Sequence, residues 1–309
     1  MKLTKLNPTQ LLDQAQMRWN TIGADQPDLL QTIALQRPLV ERTIRVVDSL
    51  SGKEPLMQIS ISDLVDKLER GIPALREEVV TLPVNLLSPL VEEACKDLAR
   101  GESGKAAERV RSCLDSGRID IGSLLTASFN RNQIAIRMKA MQEGIAPDVL
   151  WLASELAVGP LAYVTVRSLF TLDRVRIAEL WPHGYCPACG SWPAFAEDLP
   201  SRSQLRCSFC GLDWPKRSEK CNYCGESSSL TAVKTDPSCP HRVELCSKCG
   251  AYLKWLEVSD PTPFELLPVE DLASFSVDVM AAEQGFGRPT LPDLGEPNRL
   301  PCEAMEEAT

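Results

Sequence analysis

Histidine is almost missing from this 309-residue chain: there are two, His183 and His241. Neither falls in a pattern such as H-E-x-x-H, and no Walker loop is present. The lone Gly285-x-Gly287 has neither the preceding strand nor the spacing of a dinucleotide fingerprint. Acid–base and nucleophilic catalysis therefore have no nominated residue, and binding is favoured over turnover. No apolar run reaches the roughly 18–20 residues of a spanning helix. Val79–Val91 is interrupted by Pro83 and Pro89, and Trp151–Val164 by Glu155 and Pro160. The start, MKLTKLNPTQ, lacks the ~7–15-residue apolar stretch of a secretory signal. The expectation is a soluble, untargeted, cytoplasmic chain.

The length suggests about two domains at ~100–200 residues each, and 44% apolar with 24% charged residues is an ordinary globular composition. The net charge of −9 speaks against a phosphate-coated partner for the whole molecule. That acidity is local. Residues 1–183 are net −1, residues 184–252 net +1, and residues 253–309 net −9. A solvated acidic end is expected there.

The first 183 residues read as helical. From Pro89, Leu90, Val91, Ala94, Cys95 and Leu98 recur at helical spacing. Ala106, Ala107, Val110, Cys113 and Leu114 form a second apolar stripe, and Ile134, Ala135, Met138 and Met141 a third, ending near Gly144. Ser60-x-x-Asp63 resembles a capping box for a helix carrying Leu64, Val65 and Leu68. Another helix is expected from Val149, after Pro147 and Asp148. All these stripes are expected to face a helix–helix core, with Cys95 and Cys113 as small core residues. Helical character returns over Phe264–Gln284, and after Gly285 an extended, proline-containing tail is expected.

Between these regions lies the chain's main chemical feature. Twelve randomly placed cysteines would give about 0.4 C-x-x-C pairs, yet there are four: Cys186/Cys189, Cys207/Cys210, Cys221/Cys224 and Cys246/Cys249. Each second cysteine is followed by glycine: Gly190, Gly211, Gly225 and Gly250. Thiolates at i and i+3 bind one metal when a tight turn brings their sulfurs together, and two such knuckles complete a tetrahedron. The glycine suits the exit from that turn because it tolerates positive φ. Sequential pairing puts Cys186, Cys189, Cys207 and Cys210 in one site and Cys221, Cys224, Cys246 and Cys249 in another. The loops between knuckles are then 17 and 21 residues, close to ribbon spacing. Cys239 and His241 are candidate accessory ligands but more simply spectators of the connecting loop, and Cys302 is expected to be an incidental thiol. A four-sulfur site accepts zinc or iron. Disulfides and thioredoxin-like exchange are alternatives disfavoured by a reducing compartment and by fourfold repetition.

The segments CPACGSWP from Cys186, LRCSFCGLDWPKRSEKCNYCG from Leu205, ELCSKCGAYLKWLE from Glu244 and DLASFSVDVMAAEQGFGRP from Asp271 resemble the formate dehydrogenase accessory protein family FdhE. The resemblance covers roughly Tyr185–Pro289. It implies a non-enzymatic cytoplasmic maturation factor that contacts the catalytic subunit of respiratory formate dehydrogenase before export. It also implies rubredoxin-like iron at the eight knuckle cysteines.

The expected fold is multidomain α+β: a mainly α-helical N-terminal domain (1–182), two tandem rubredoxin-like or zinc-ribbon modules of four cysteines each (183–218 and 219–257), and a C-terminal helix with an acidic tail (258–309). The cofactor expectation is two mononuclear irons, with zinc as the alternative. Two other functions are open. A nucleic-acid-binding ribbon would use Arg202, Arg206, Lys216, Arg217 and Lys220 with Phe209 and Trp214 for stacking. A rubredoxin-like electron carrier or oxygen sensor would need iron with a reversible couple.

Overall fold

The computed structural model describes residues 6–53, 56–78, 80–101, 103–170, 180–216, 219–234 and 240–289. The expectations for Arg217, Cys239, Cys302 and the tail from residue 290 fall outside the described residues. The chain forms two compact units, Met1–Met57 with Glu78–Thr165 and Gln58–Glu77 with Val166–Thr309. It therefore passes between them more than once.

The first unit is helical. α1 (Pro8–Asp25) opens on a reciprocal capping box: the Gln10 N–H donates to Asn7 Oδ1 at 2.9 Å and the Asn7 N–H to Gln10 Oε1 at 3.0 Å. α1 packs on α2 (Leu30–Leu50), and the Trp19 indole donates to Gln36 across that hairpin at 2.7 Å. α4 (Val84–Leu98) lies against α2 and α5 (Gly104–Asp115), with Leu90, Val91, Ala94, Cys95 and Leu98 inside. It begins before Pro89, which sits within the helix. Arg42 joins α2 to α4 through Glu93 at 3.0 Å and through Asp97. Asp120 caps α6 (Ile121–Phe129) by accepting from the Ser123 N–H at 2.7 Å.

α7 (Gln133–Glu143) reverses the expected orientation. Its buried residues are Ile136 and Ala140, whereas Ile134, Met138 and Met141 are 67–75% exposed. Two small apolar anchors set the packing, and the longer stripe faces out. α8 (Pro147–Leu169) runs unbroken through Pro160. Glu155, which breaks the apolar run of this helix, pairs with Arg131 at 3.1 Å. The helix is long and apolar enough to cross a membrane, with mean hydropathy 1.6, but 61% of that window is buried in the protein.

The second unit contains α3 (Ile61–Glu69), capped by Ser60, and a six-stranded sheet in the order β3-β2-β1-β6-β5-β4. The strands are β1 (Phe195–Leu199), β2 (Arg202–Arg206), β3 (Asp213–Pro215), β4 (Leu230–Val233), β5 (His241–Cys246) and β6 (Ala251–Glu257). One sequence of parts occurs twice: knuckle, hairpin, knuckle, strand. Each copy makes a three-stranded antiparallel ribbon. The ribbons join edge to edge through parallel pairing of β1 with β6, in the register Ala196↔Trp255, Glu197↔Leu256 and Asp198↔Glu257. Joining this way removes one exposed edge from each ribbon.

α9 (Leu267–Ala273) and α10 (Phe275–Glu283) follow the sheet. Val277 and Ala281 of α10 pack on Val243, Leu245 and Tyr252. Phe275 and Val279 on the same helix are 42% and 40% exposed. The join also has a polar component. Lys254, fully buried on β6, reaches Asp271 at 2.7 Å and Asp278 at 2.8 Å, and Arg288 reaches Asp271 at 2.6 Å. At β1, buried Glu197 accepts from Arg206 at 2.9 Å, Gln204 at 2.7 Å and the Thr262 N–H at 2.9 Å.

Removing one partner from a buried ionic cluster strands the others, so Lys254→Ala is expected to cost about 3–5 kcal/mol. A fall in the urea midpoint, followed by tryptophan fluorescence, measures this; an unchanged midpoint contradicts it. Burial opposes ionisation of Asp271, but Arg288 and Lys254 outweigh it and hold the carboxyl below its ordinary range. A carboxyl depressed in the fold stabilises it above the unfolded value of about 4, and that contribution is lost as pH falls through the folded value. Stability should therefore drop on acidification below about pH 4. Asp271→Asn should flatten that acid-side slope; an unaltered slope would contradict the assignment.

Candidate metal centres

All four C-x-x-C-Gly segments fold alike. The glycine after each second cysteine has positive φ: 82° at Gly190, 69° at Gly211, 74° at Gly225 and 66° at Gly250. In that conformation its N–H turns back to the carbonyl of the first cysteine, at 2.9, 3.0, 3.0 and 2.9 Å in the same order. Three knuckles add a second closure, from the first cysteine's N–H to the carbonyl beyond the glycine: Ser191 at 2.8 Å, Leu212 at 3.0 Å and Glu226 at 2.7 Å. The fourth knuckle makes the hairpin turn between β5 and β6, with Cys246 opposite Ala251.

These turns gather the sulfurs into two groups, Cys186 with Cys189, Cys207 and Cys210, and Cys221 with Cys224, Cys246 and Cys249. Within each group all four Sγ atoms lie within 4.8 Å of one another. Cys186 and Cys210 are separated by 3.5 Å, Cys189 and Cys207 by 3.5 Å, Cys221 and Cys249 by 3.8 Å, and Cys224 and Cys246 by 3.7 Å. A metal–sulfur bond of ~2.3 Å in a regular tetrahedron requires sulfur–sulfur edges of about 3.8 Å. The donor set and its size thus fit a tetrahedral thiophilic ion.

Without an ion, burial and neighbouring sulfurs push the Cys186 and Cys210 thiols well above their ordinary values. Cys221 is raised chiefly by its contact with Cys249 and then by burial. Burial pushes Cys224 up to about 11. Backbone donors oppose these shifts: the Tyr223 N–H reaches Cys221 Sγ at 3.4 Å, and the Glu226 N–H also aids Cys224. Loading a divalent ion must therefore release thiol protons.

The surroundings of the two groups differ. Residues 58–77 close over the first: the Ala74 and Leu75 N–H groups donate to the Pro187 and Ala188 carbonyls, both at 2.8 Å. The Tyr185 hydroxyl donates to the Gly71 carbonyl at 3.1 Å. The groups are also joined to each other. A side chain at Gly184 would lie 1.9 Å from the Asn222 carbonyl oxygen, so the entry to the first knuckle rests on the backbone of the third. Beside that contact, Trp192 meets Tyr185 at 6.0 Å and Tyr223 at 5.1 Å, both edge to face.

Other candidate residues lie apart. His241 opens β5, five residues and about 16 Å of strand from Cys246, and is in neither four-sulfur group. His183 stacks on Tyr185 at 4.9 Å, and burial lowers its pKa. Cys95 and Cys113 are buried in α4 and α5, where burial pushes the Cys95 thiol to about 11.

Of the expected basic–aromatic cluster, Arg202 and Lys220 are exposed, while two basic and both aromatic members are withdrawn. Arg206 is buried against Glu197 and the Thr262 carbonyl, and Lys216 pairs with Glu244 at 2.6 Å. Phe209 and Trp214 are 1% exposed and present no face for a base.

Comparison with known proteins agrees with this arrangement. A family model described as "FdhE, C-terminal domain" matches residues 219–294, which include all four cysteines of the second group. The chain is 32% identical over 154 residues to an FdhE homolog of Aquifex aeolicus, covering 47% of this chain and 52% of that one. It is 30% identical over 177 residues to an FdhE homolog of Haemophilus influenzae, covering 50% and 58%. The chain is thus similar to FdhE proteins over the part that carries the knuckles. These matches span about half the length of the curated relatives. The crystal structure of the FdhE protein from Pseudomonas aeruginosa shares the fold, with a TM-score of 0.57, 22% identity and coverage of 93% and 96% of the two chains.

Two glycine substitutions separate the roles of φ and of space. Gly250 has open space around it, so Gly250→Ala should cost only the about 1–2 kcal/mol of left-handed backbone. Gly184→Ala must displace the third knuckle and should lower metal retained by the second group. Elemental analysis with thermal melting checks both. Equal effects of the two variants would contradict the close approach at Asn222.

Proposed function

We propose that this chain is a member of the FdhE family and a non-catalytic accessory factor for respiratory formate dehydrogenase. It docks on the catalytic subunit in the cytoplasm, with one metal ion held by each four-cysteine group. The observation that carries this reading is the family match across residues 219–294, which contains a complete four-thiol group. The apolar helix α8, largely inside the protein, is consistent with a role off the membrane.

In this reading Cys186, Cys189, Cys207 and Cys210 hold the first ion and Cys221, Cys224, Cys246 and Cys249 the second. Iron would supply a one-electron couple in a four-thiolate field, and zinc would supply a redox-inert crosslink. Iron is favoured by the family resemblance, and the donor set accepts either. The chain's own contribution is to hold eight thiolates in register, bury six of them and present a fixed surface around them. Small ribbons derive much of their folding energy from the ion. A knuckle Cys207→Ser change should therefore loosen the sheet unit and weaken partner binding together.

Deleting the gene and assaying respiratory formate dehydrogenase tests the role. The deletion strain should lose most of that activity and regain it with the wild-type chain but not with Cys207→Ser. Full activity in the deletion strain would contradict the proposal. Co-purification of the catalytic subunit with the wild-type chain is the companion measurement.

A further inference from the structure

The two four-thiol groups share knuckle geometry but not accessibility. In the first group all four cysteines are buried, at 0%, 2%, 0% and 0% exposure for Cys186, Cys189, Cys207 and Cys210. The loops carrying them are largely covered too, with Ser208 the one exposed residue among the four that lie between ligands. The Pro187 and Ala188 carbonyls, between the first two ligands, are bonded to the Ala74 and Leu75 N–H groups, and Phe209, between the second two, is 1% exposed. In the second group only Cys221 and Cys246 are buried; Cys224 and Cys249 are partly open to solvent. Ser247 and Lys248, between the ligands of its second knuckle, are exposed. Lys248 pairs with Glu226 only loosely, at 3.8 Å.

We infer that the two centres do different work: the second is an exchange centre, where a small thiolate ligand reaches the metal past Cys224 and Cys249, while the first is closed to ligands and fixed. This rests on reading both groups as metal centres. The exchange is a ligand substitution. An incoming thiolate forms one metal–sulfur bond as the bond to Cys224 or Cys249 breaks, the displaced thiolate takes a proton from water, and no electron moves. The open side suits a cysteine of a partner or a low-molecular-weight thiol. The buried pair Cys221 and Cys246 keeps hold of the ion during the substitution. Sulfur accessibility governs such attack, and release from a closed site needs a local opening of the fold first.

The test uses the full chain, first shown by elemental analysis to carry two metal ions, and treated with glutathione plus EDTA as the final acceptor. Released metal is followed over time, with N-ethylmaleimide pulses and peptide mapping to identify the freed thiols. The expected result is two phases of one ion each, the first at least about tenfold faster, with Cys221, Cys224, Cys246 and Cys249 labelled in the fast phase. Release in a single phase with all eight cysteines labelled together would overturn the inference, as would faster labelling of the first group. A chain that takes up no metal would instead overturn the reading of the groups as metal centres.

Discussion

Four sulfur atoms held within 4.8 Å of one another are the constraint on which the sheet unit depends. Four buried thiols brought that close gain little from each other, and burial resists making them the thiolates a metal needs. Coordination reverses this balance because one divalent ion compensates the charge of all four sulfurs at once. The backbone prepares for it. Each knuckle ends in a left-handed glycine whose N–H closes the turn on the first cysteine, so both sulfurs of a pair face one point.

The rest of the unit carries that local order outward. Each ribbon leaves its knuckles as three antiparallel strands, and the parallel β1–β6 pairing makes the two ribbons one sheet. The Gly184–Asn222 approach and the contacts of Trp192 with Tyr185 and Tyr223 tie the two centres together away from the strands. α9 and α10 fasten to the sheet through Val277, Ala281 and the Lys254–Asp271–Asp278–Arg288 cluster. The chain then returns to the fourth knuckle, where Gly287 exchanges hydrogen bonds with Gly250 and Tyr252 at 2.8 and 3.1 Å. Disturbing either four-sulfur group should therefore be felt across the sheet.

Legibility from sequence followed the range of the interactions. The knuckles were readable because i, i+3 thiols and the glycine after them are local chemistry, and loop length alone suggested how they pair. The helical stretches and the stripes of α4 and α5 were readable for the same reason. Orientation was less so. In α7 a longer apolar stripe lost to Ile136 and Ala140, because fit against neighbours decides which face goes in. The β1–β6 pairing joins residues about sixty apart and leaves no local mark. Residues 58–77 read as one more helix and its exit, yet their backbone donors close the first centre. Two members of the basic cluster, Arg206 and Lys216, are taken up by Glu197 and Glu244, which are distant in sequence.

The most direct measurement is X-ray absorption at the metal edge, with elemental analysis, on the full chain purified without oxygen. Two ions per chain, each with four sulfur neighbours near ~2.3 Å, are the result expected of these two groups. The edge also tells iron from zinc. Less than one ion per chain, with all eight knuckle cysteines titrating as free thiols, would contradict the account.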